Sequence, residues 1–357
     1  MKNLKTKIKI SLFLSAITIF MVLLMDLIIG RFFLKHDETV YRVRDTIFHH
    51  TLKKNFSSKK AFWASGFYEI NTDMNGFKVS KINQERKNKN FNILIIGDSM
   101  AEGVGYKAEK TYYGLLEKKL PKFKIANMAV SSYSSKVYLS KLNYYYNNNF
   151  YFEHVIIHLD ISDLVDDYFM YDYDEKNYIA LTKGVTSSKL ETKLNQLIKI
   201  FPLSYKLYYS IKHYDEFINI KKNNIYEMTA GEYMYKNKDT YFIKDERDIA
   251  FEQTLNFLSK IHNLVKINNG NLSILITPWP STLKYYDANN ILENKLNNFC
   301  ISKCKIFLNL FPDFLNLSDK FGYDNVSNEY FLGKFDDHHF SDKGHAFVAD
   351  LLYDKIK

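Results

Sequence analysis

Cysteine and proline are the scarce residues of this chain, two and five among 357, and glycine numbers only thirteen. So little glycine and proline excludes a collagen-like repeat and a proline-rich disordered chain. Cys300 and Cys304 have no matching pair elsewhere, and alone they do not make a zinc site. No other metal and no organic cofactor is implied by the residue pattern. Spaced i,i+4, the two cysteines can be bridged at a helix end in an oxidising compartment, and a structural disulfide is the expectation. Also missing is a Lys/Arg stripe interleaved with exposed aromatics, which argues against nucleic acid as a partner. The net charge of +9 does not change this. Six basic residues (Lys2, Lys5, Lys7, Lys9, Arg31, Lys35) face the single Asp26 in the first 35 positions, leaving +4 for the other 322.

What the chain has in quantity is apolar surface, 46% hydrophobic and 16% aromatic residues, enough for one large domain or a domain with a lid. Ile10 to Ile29 is a nearly unbroken apolar run of about the length a bilayer requires. Four lysines precede it, which keeps the N-terminus cytoplasmic and exports the rest. No small-x-small cleavage site follows, so the run reads as an uncleaved signal anchor. The expected organisation is a cytoplasmic tail (1–9), a single-pass anchor (10–34), a linker and lead-in (35–90) and an extracytoplasmic domain (91–357). Asp26 reads as a boundary residue of the span.

From residue 91 the pattern alternates apolar strands with amphipathic helices. Strands are predicted at 92–96, 124–128, 154–159, 272–277 and 305–309, and helices at 111–120, 135–147, 250–267, 285–299 and from Ser341 to the end. Phe251, Leu255, Leu258, Ile261 and Val265 recur at helical spacing and mark a core-facing stripe. Such alternation implies a parallel sheet covered on both faces. Residues 168–249 interrupt it with an insertion longer than a crossover needs, containing an amphipathic run over Leu190–Phe201. It suits a lid or substrate cap as well as a packing elaboration.

The first strand of the alternation ends in Gly97-Asp98-Ser99, which places a hydroxyl at the carboxyl end of a sheet, where ligands bind in open α/β folds. A serine there becomes a nucleophile when a base and an oxyanion site can reach it. The candidate base is His339, within Asp336-Asp337-His338-His339-Phe340-Ser341, where a carboxylate and an imidazole share a loop ahead of the last helix. Ser341 is the expected cap of that helix, with Asp342 in its first turn. His338 is the neighbour most easily mistaken for the base, and His345 is expected to pack inside the helix start.

Gly-Asp-Ser after a first strand and Asp-x-x-His near the end, in this order, resemble the SGNH/GDSL hydrolase family. Two further blocks are similar. Asn127-Met128-Ala129-Val130-Ser131-Ser132 stands where that family has an Asn-initiated turn and a glycine, here Ser132. Asp160-Ile161-Ser162-Asp163 stands where it has Gly-x-Asn-Asp, so Ser162 takes the asparagine's place. The segments around Tyr41-Arg42, His49-His50, Asn71–Lys78, Thr277-Pro278-Trp279-Pro280 and Phe299–Cys304 look like membrane-anchored bacterial members, and the resemblance spans 40–357.

The resemblance implies a three-layer α/β/α fold with a parallel sheet, in addition to the N-terminal transmembrane helix. It also implies a serine esterase acting through an acyl-serine intermediate, without a cofactor. Ser99 would be the nucleophile, His339 the base, and Asp336 or, by an Asp-x-His pattern, Asp337 the orienting acid. The backbone N–H groups of Ser99 and Ser132 and the Ser162 hydroxyl would receive the oxyanion. An inner-membrane, extracytoplasmic location points to acylated carbohydrate, O-acetyl groups of envelope glycans above all. An O-acetyltransferase with the same triad and a non-catalytic glycan-binding or assembly protein are the alternatives. His49 and His50 are candidates for the cleft rim, and Trp279 for the pocket wall.

Overall fold

The computed structural model describes residues 2–30, 41–80, 89–181, 201, 204, 244–284, 286, 291–333 and 338–357. By internal contacts the chain divides into two units, 1–36 with 184–224 and 37–183 with 225–357. In the first, helix α1 (Lys2–Met25) runs into a π-helical turn (Asp26–Gly30). The stretch Thr6–Ile28 has a mean hydropathy of 2.4 and presents its apolar side chains outward, so it is long and apolar enough to cross a bilayer. Asp26 differs from its neighbours: it is buried, and its Oδ2 accepts from the backbone N–H of Ser204 at 2.7 Å. The amphipathic run expected over Leu190–Phe201 lies, apart from its last residue, outside the described residues.

The second unit begins with two antiparallel hairpins, β1 (Arg42–Asp45) with β2 (His49–Leu52) and β3 (Ser57–Trp63) with β4 (Gly66–Asn71). Then come β5 (Asn90–Gly97), α2 (Ser99–Glu102), α3 (Tyr112–Lys119), β6 (Ile125–Asn127), α4 (Ser135–Asn147), β7 (Tyr151–Leu159) and α5 (Ile161–Val165). A short antiparallel pair, β8 (Tyr171–Tyr173) and β9 (Ile179–Leu181), opens the insertion. The core resumes with α6 (Lys244–Ile267), β10 (Asn271–Ile276), α7 (Pro280–Lys284), α8 (Ile291–Lys303), β11 (Ile306–Asn309), α9 (Phe311–Phe321), α10 (Tyr323–Tyr330) and α11 (Asp342–Ile356).

Five strands make one parallel sheet in the order β11-β10-β7-β5-β6. Alternate side chains leave a strand on opposite faces, and here both faces are covered. Leu94, Ile96, Val155, Ile157, Ile274 and Ile276 pack into one core with residues of α4, α6 and α8. Ile93, Ile95, Ile156, Leu275 and Leu308 pack into a second core with residues of α3, α9 and α11. The fold is therefore a three-layer α/β/α arrangement. Each fully buried Leu or Ile contributes about 1.5–3 kcal/mol, so these predominantly apolar strands are stable only as the inner layer of such a stack.

The hairpins belong to this body: Tyr41, Leu52, Ile70 and Phe77 are buried in the first core. The expected strands and helices lie within a few residues of the observed ones, except that helix 285–299 is observed as α8 over 291–303, preceded by the separate turn α7. Helices α9 and α10 match no expected element. Pro312 starts one, Gly322 at φ +85° separates them, and each is too short to show a long apolar period. Cys300 and Cys304 are joined by a disulfide at the end of α8.

Candidate active site

All five sheet strands end at the same edge, and the loops beyond β5, β6 and β7 meet there. β5 closes on Gly97, where a Cβ would come within 2.6 Å of the Ala101 Cβ and 2.7 Å of the His158 carbonyl oxygen, so only glycine fits. Asp98 then caps α2, its Oδ1 accepting from Met100 N–H at 2.9 Å. Ser99 is the first residue of that helix and is buried. After one turn Gly103, at φ +68°, reverses the chain. The carbonyls left over by the turn are collected by the Lys78 Nζ, which donates to Glu102, Gly103 and Tyr106 oxygens at 3.0, 2.8 and 2.7 Å. Burial lowers this ammonium to about 8.

The loop after β6 is braced from several sides. Asn127 donates through Nδ2 to the Ala101 carbonyl at 2.9 Å and accepts from Ala129 N–H at 2.9 Å, tying the loop to α2. Ser131 N–H donates to Glu102 Oε2 at 2.8 Å. Glu102, fully buried, is held in turn by the Nε/Nη2 edge of the Arg42 guanidinium, with Nη2 to Oε1 at 2.7 Å and Nε to Oε2 at 3.3 Å. The Ser131 carbonyl lies 2.8 Å from His50 Nε2, which must carry the hydrogen of that bond. Burial lowers His50 to about 4, so its ring is neutral and Nδ1 is free to accept from His49 Nδ1 at 3.0 Å. Ser132 itself sits at φ +60°, the left-handed conformation a glycine adopts without strain. Its carbonyl accepts from Tyr171 Oη at 2.6 Å, and among the described residues no group accepts from its N–H.

The loop after β7 is built around carboxyl groups. Asp160 caps α5: its Oδ1 accepts from Ser162 N–H at 2.7 Å and from the Ser162 hydroxyl at 2.6 Å. Its Oδ2 accepts from Trp279 Nε1 at 3.2 Å. Asp163 completes a capping box through Asp160 N–H at 2.8 Å and takes the Tyr138 hydroxyl at 2.5 Å. Asp98 Oδ2 lies 3.1 Å from the Ser99 Oγ and 3.4 Å from the Ser162 Oγ, so both hydroxyls face one carboxyl oxygen. Burial first, and then the neighbouring Asp160, push the Asp98 carboxyl well above the usual carboxylate range. Asp163 is raised for the same two reasons, and Asp166 is pushed up to about 8.

His339 is buried, with its ring 5.3 Å from Trp63 and 4.4 Å from His338. His338 stacks on Trp279 at 4.1 Å. Two chains of contact thus run from the histidine pair toward the segment 97–105 that follows β5. One passes from His339 through Trp63, which packs on the Gly105 turn, where a Cβ would meet the Trp63 Cδ1 at 3.3 Å. The other passes from His338 through Trp279, Asp160 and Ser162 to Asp98. The Ser99 hydroxyl donates to Asp98 in this geometry rather than to His339. Asp336 and Asp337 lie outside the described residues. His345 packs as a buried acceptor of Tyr112 N–H at 3.3 Å, and Ser341 caps α11 through Gly344 N–H at 3.2 Å.

Sequence reasoning passed over Asp160, Glu102, Arg42 as its partner, and Trp63. Asp160 had a signal: it occupies the glycine slot of the Gly-x-Asn-Asp block. Glu102 had a weaker one, a carboxylate one turn after Gly97-Asp98-Ser99 in a helix with no exposed face.

A scan of family models finds no match, and a search of curated proteins finds none. Among solved structures, the chain is similar to the psychrotrophic esterase EstA from Pseudoalteromonas sp., at 13% identity and a TM-score of 0.38, over 75% of this chain and 97% of that one. It is similar to a member of the lipolytic protein G-D-S-L family from Veillonella parvula, at 9% identity and a TM-score of 0.40, over 74% and 96%. A third is a variant of the acetyl-xylooligosaccharide esterase Axe2 from Geobacillus, at 12% identity and a TM-score of 0.39, over 74% and 94%.

Proposed function

We propose that this chain is a membrane-anchored serine esterase of the SGNH/GDSL type that removes O-acyl groups, acetyl above all, from cell-envelope glycans. In this reading Ser99 Oγ attacks the ester carbonyl while His339 takes its proton and then returns it to the departing sugar oxygen. Asp336, or Asp337, holds the imidazole, and water releases the acyl group from Ser99. The backbone N–H groups of Ser132 and Ser99 receive the oxyanion. The α1 helix holds the domain outside the cytoplasmic membrane.

The observation that carries the reading is the placement of Ser99 and Ser132. Ser99 starts a helix at the carboxyl end of an inner parallel strand, and Ser132, on the next loop, keeps a glycine's backbone with its N–H open. The test uses the full-length chain in detergent with a fluorophosphonate. Covalent labelling lost in Ser99→Ala is the expected result, and a folded, unlabelled wild type would overturn the reading. Turnover of an aryl acetate, with and without an acceptor glycan, then separates water from sugar as the acceptor: acetylated glycan would replace hydrolysis by transfer.

A further inference from the structure

We propose that Asp160 is a positioning residue that keeps the Ser162 hydroxyl turned away from the reacting oxygen and so sets how strongly Ser99 reacts. The inference rests on Ser99 as the nucleophile. A serine hydroxyl has one hydrogen to give. Ser162 gives it to Asp160 Oδ1 at 2.6 Å, a short bond of the charge-assisted kind, while its own N–H goes to the same oxygen. A carboxyl group accepting from Ser162 N–H, Ser162 Oγ and Trp279 Nε1 has the pattern of an ionised carboxylate.

Two consequences follow for the site. The side chain in the asparagine slot cannot serve an oxyanion while Asp160 holds it. A negative charge also stands one hydroxyl away from the place where negative charge would develop, and buried charge acts strongly at such range. The titratable groups that feel Asp160 are Asp98 at the end of β5, Asp163 and Asp166 on its own turn, Tyr138 on α4 and His158 on β7. None is a cation that would neutralise it. Its second oxygen fixes Trp279, the ring on which His338 stacks, so the same carboxylate links the Ser162 turn to the histidine loop.

A capping role alone would predict less. Asn and Ser cap helices about as well as Asp, so Asp160→Asn and Asp160→Ser should keep the melting temperature of α5 and its surroundings. With the full-length protein in detergent, Asp160→Ser, which removes the carboxyl that takes the Ser162 hydroxyl hydrogen, is expected to raise the rate of fluorophosphonate labelling of Ser99 roughly tenfold or more, since one oxyanion donor is worth about 10²–10³ in a serine hydrolase. Ser162→Ala alone is expected to change the rate less than about twofold, and to abolish the gain when combined with Asp160→Ser. An unchanged or slower rate in both folded Asp160 variants, or a large loss from Ser162→Ala alone, overturns the proposal.

A second readout does not depend on the nucleophile. The chain has two tryptophans, so in a Trp63→Phe background the emission reports Trp279 alone. Asp160→Asn takes away the acceptor of its N–H and should move that emission to shorter wavelength. If wild type and variant are both unlabelled, the esterase reading fails, and the emission still decides on Asp160: no shift overturns it.

Discussion

Two loops flank Ser99, and each carries a serine where the resembling family has another residue, but they have fared differently. On the β6 side, Ser132 holds φ +60°, and its neighbours are tied down by Glu102, His50 and Tyr171. On the β7 side, Ser162 is drawn to Asp160, and its hydroxyl points into a group of carboxyls. The difference teaches that a backbone donor outlives a change of side chain as long as the surrounding contacts enforce its φ and ψ. A side-chain donor depends on everything that competes for its single hydrogen.

The comparison can be broken most severely at the base that both loops would serve. His339→Ala is expected to lower the rate of Ser99 acylation by about 10²–10⁴, measured with an aryl acetate, whereas His338→Ala leaves most of it. Equal loss in the two would reassign the base. Next is the brace of the β6 side. Glu102→Ala removes the partner of Arg42 and the acceptor of Ser131 N–H, and breaking such a buried pair costs about 3–5 kcal/mol, read as the shift of a urea midpoint.

Lys141 sharpens the same side through pH. Its Nζ donates to the Met128 carbonyl and the Tyr133 hydroxyl, both at 3.1 Å, and burial lowers it to about 7 from an ordinary 10.5. Between those values the unfolded chain binds more protons than the folded one, so this group adds stability as pH rises from 7 and withdraws it as pH falls back. Lys141→Met should therefore flatten the stability-against-pH curve above pH 7 by up to about 1.4 kcal/mol per pH unit. An unchanged slope in chemical unfolding at pH 7, 8 and 9 would show the lysine to be solvated.

The smallest effect falls on Ser132. Ser132→Gly relieves a left-handed φ and should stabilise by about 1 kcal/mol or less with the acylation rate within twofold. Ser132→Val, β-branched, should destabilise by at least as much and slow the reaction by moving the N–H. If glycine slowed the reaction tenfold, the hydroxyl rather than the backbone of Ser132 would be the working group.

Much of this molecule is legible in the chain because both covered faces of the sheet demand continuous apolar runs. Phe91–Ile96, Val155–Leu159 and Leu272–Ile276 announce themselves, and the helical stripe of α6 does too. The hairpins over 41–71 were harder, since their burial comes from scattered Tyr, Leu, Ile and Phe with polar residues between them. At the site, residues fixed to one motif could be read. Residues that act by contact with distant segments could not. Arg42 meets Glu102 across 60 positions, and Trp279 meets Asp160 across 119.

By itself, then, the sequence determined the alternation of the five sheet strands with their main covering helices, the apolar N-terminal span, and the place of Ser99 after a strand. These depend on local pattern: apolar period, a glycine that only a tight turn can use, and hydrophobic length. Only the tertiary structure decided that Ser132 keeps a glycine's conformation, that Asp160 claims the Ser162 hydroxyl, and that the two tryptophans bracket the histidine pair. Those outcomes are competitions among buried polar groups for a few hydrogens, and who competes is set by which distant segments the fold brings together.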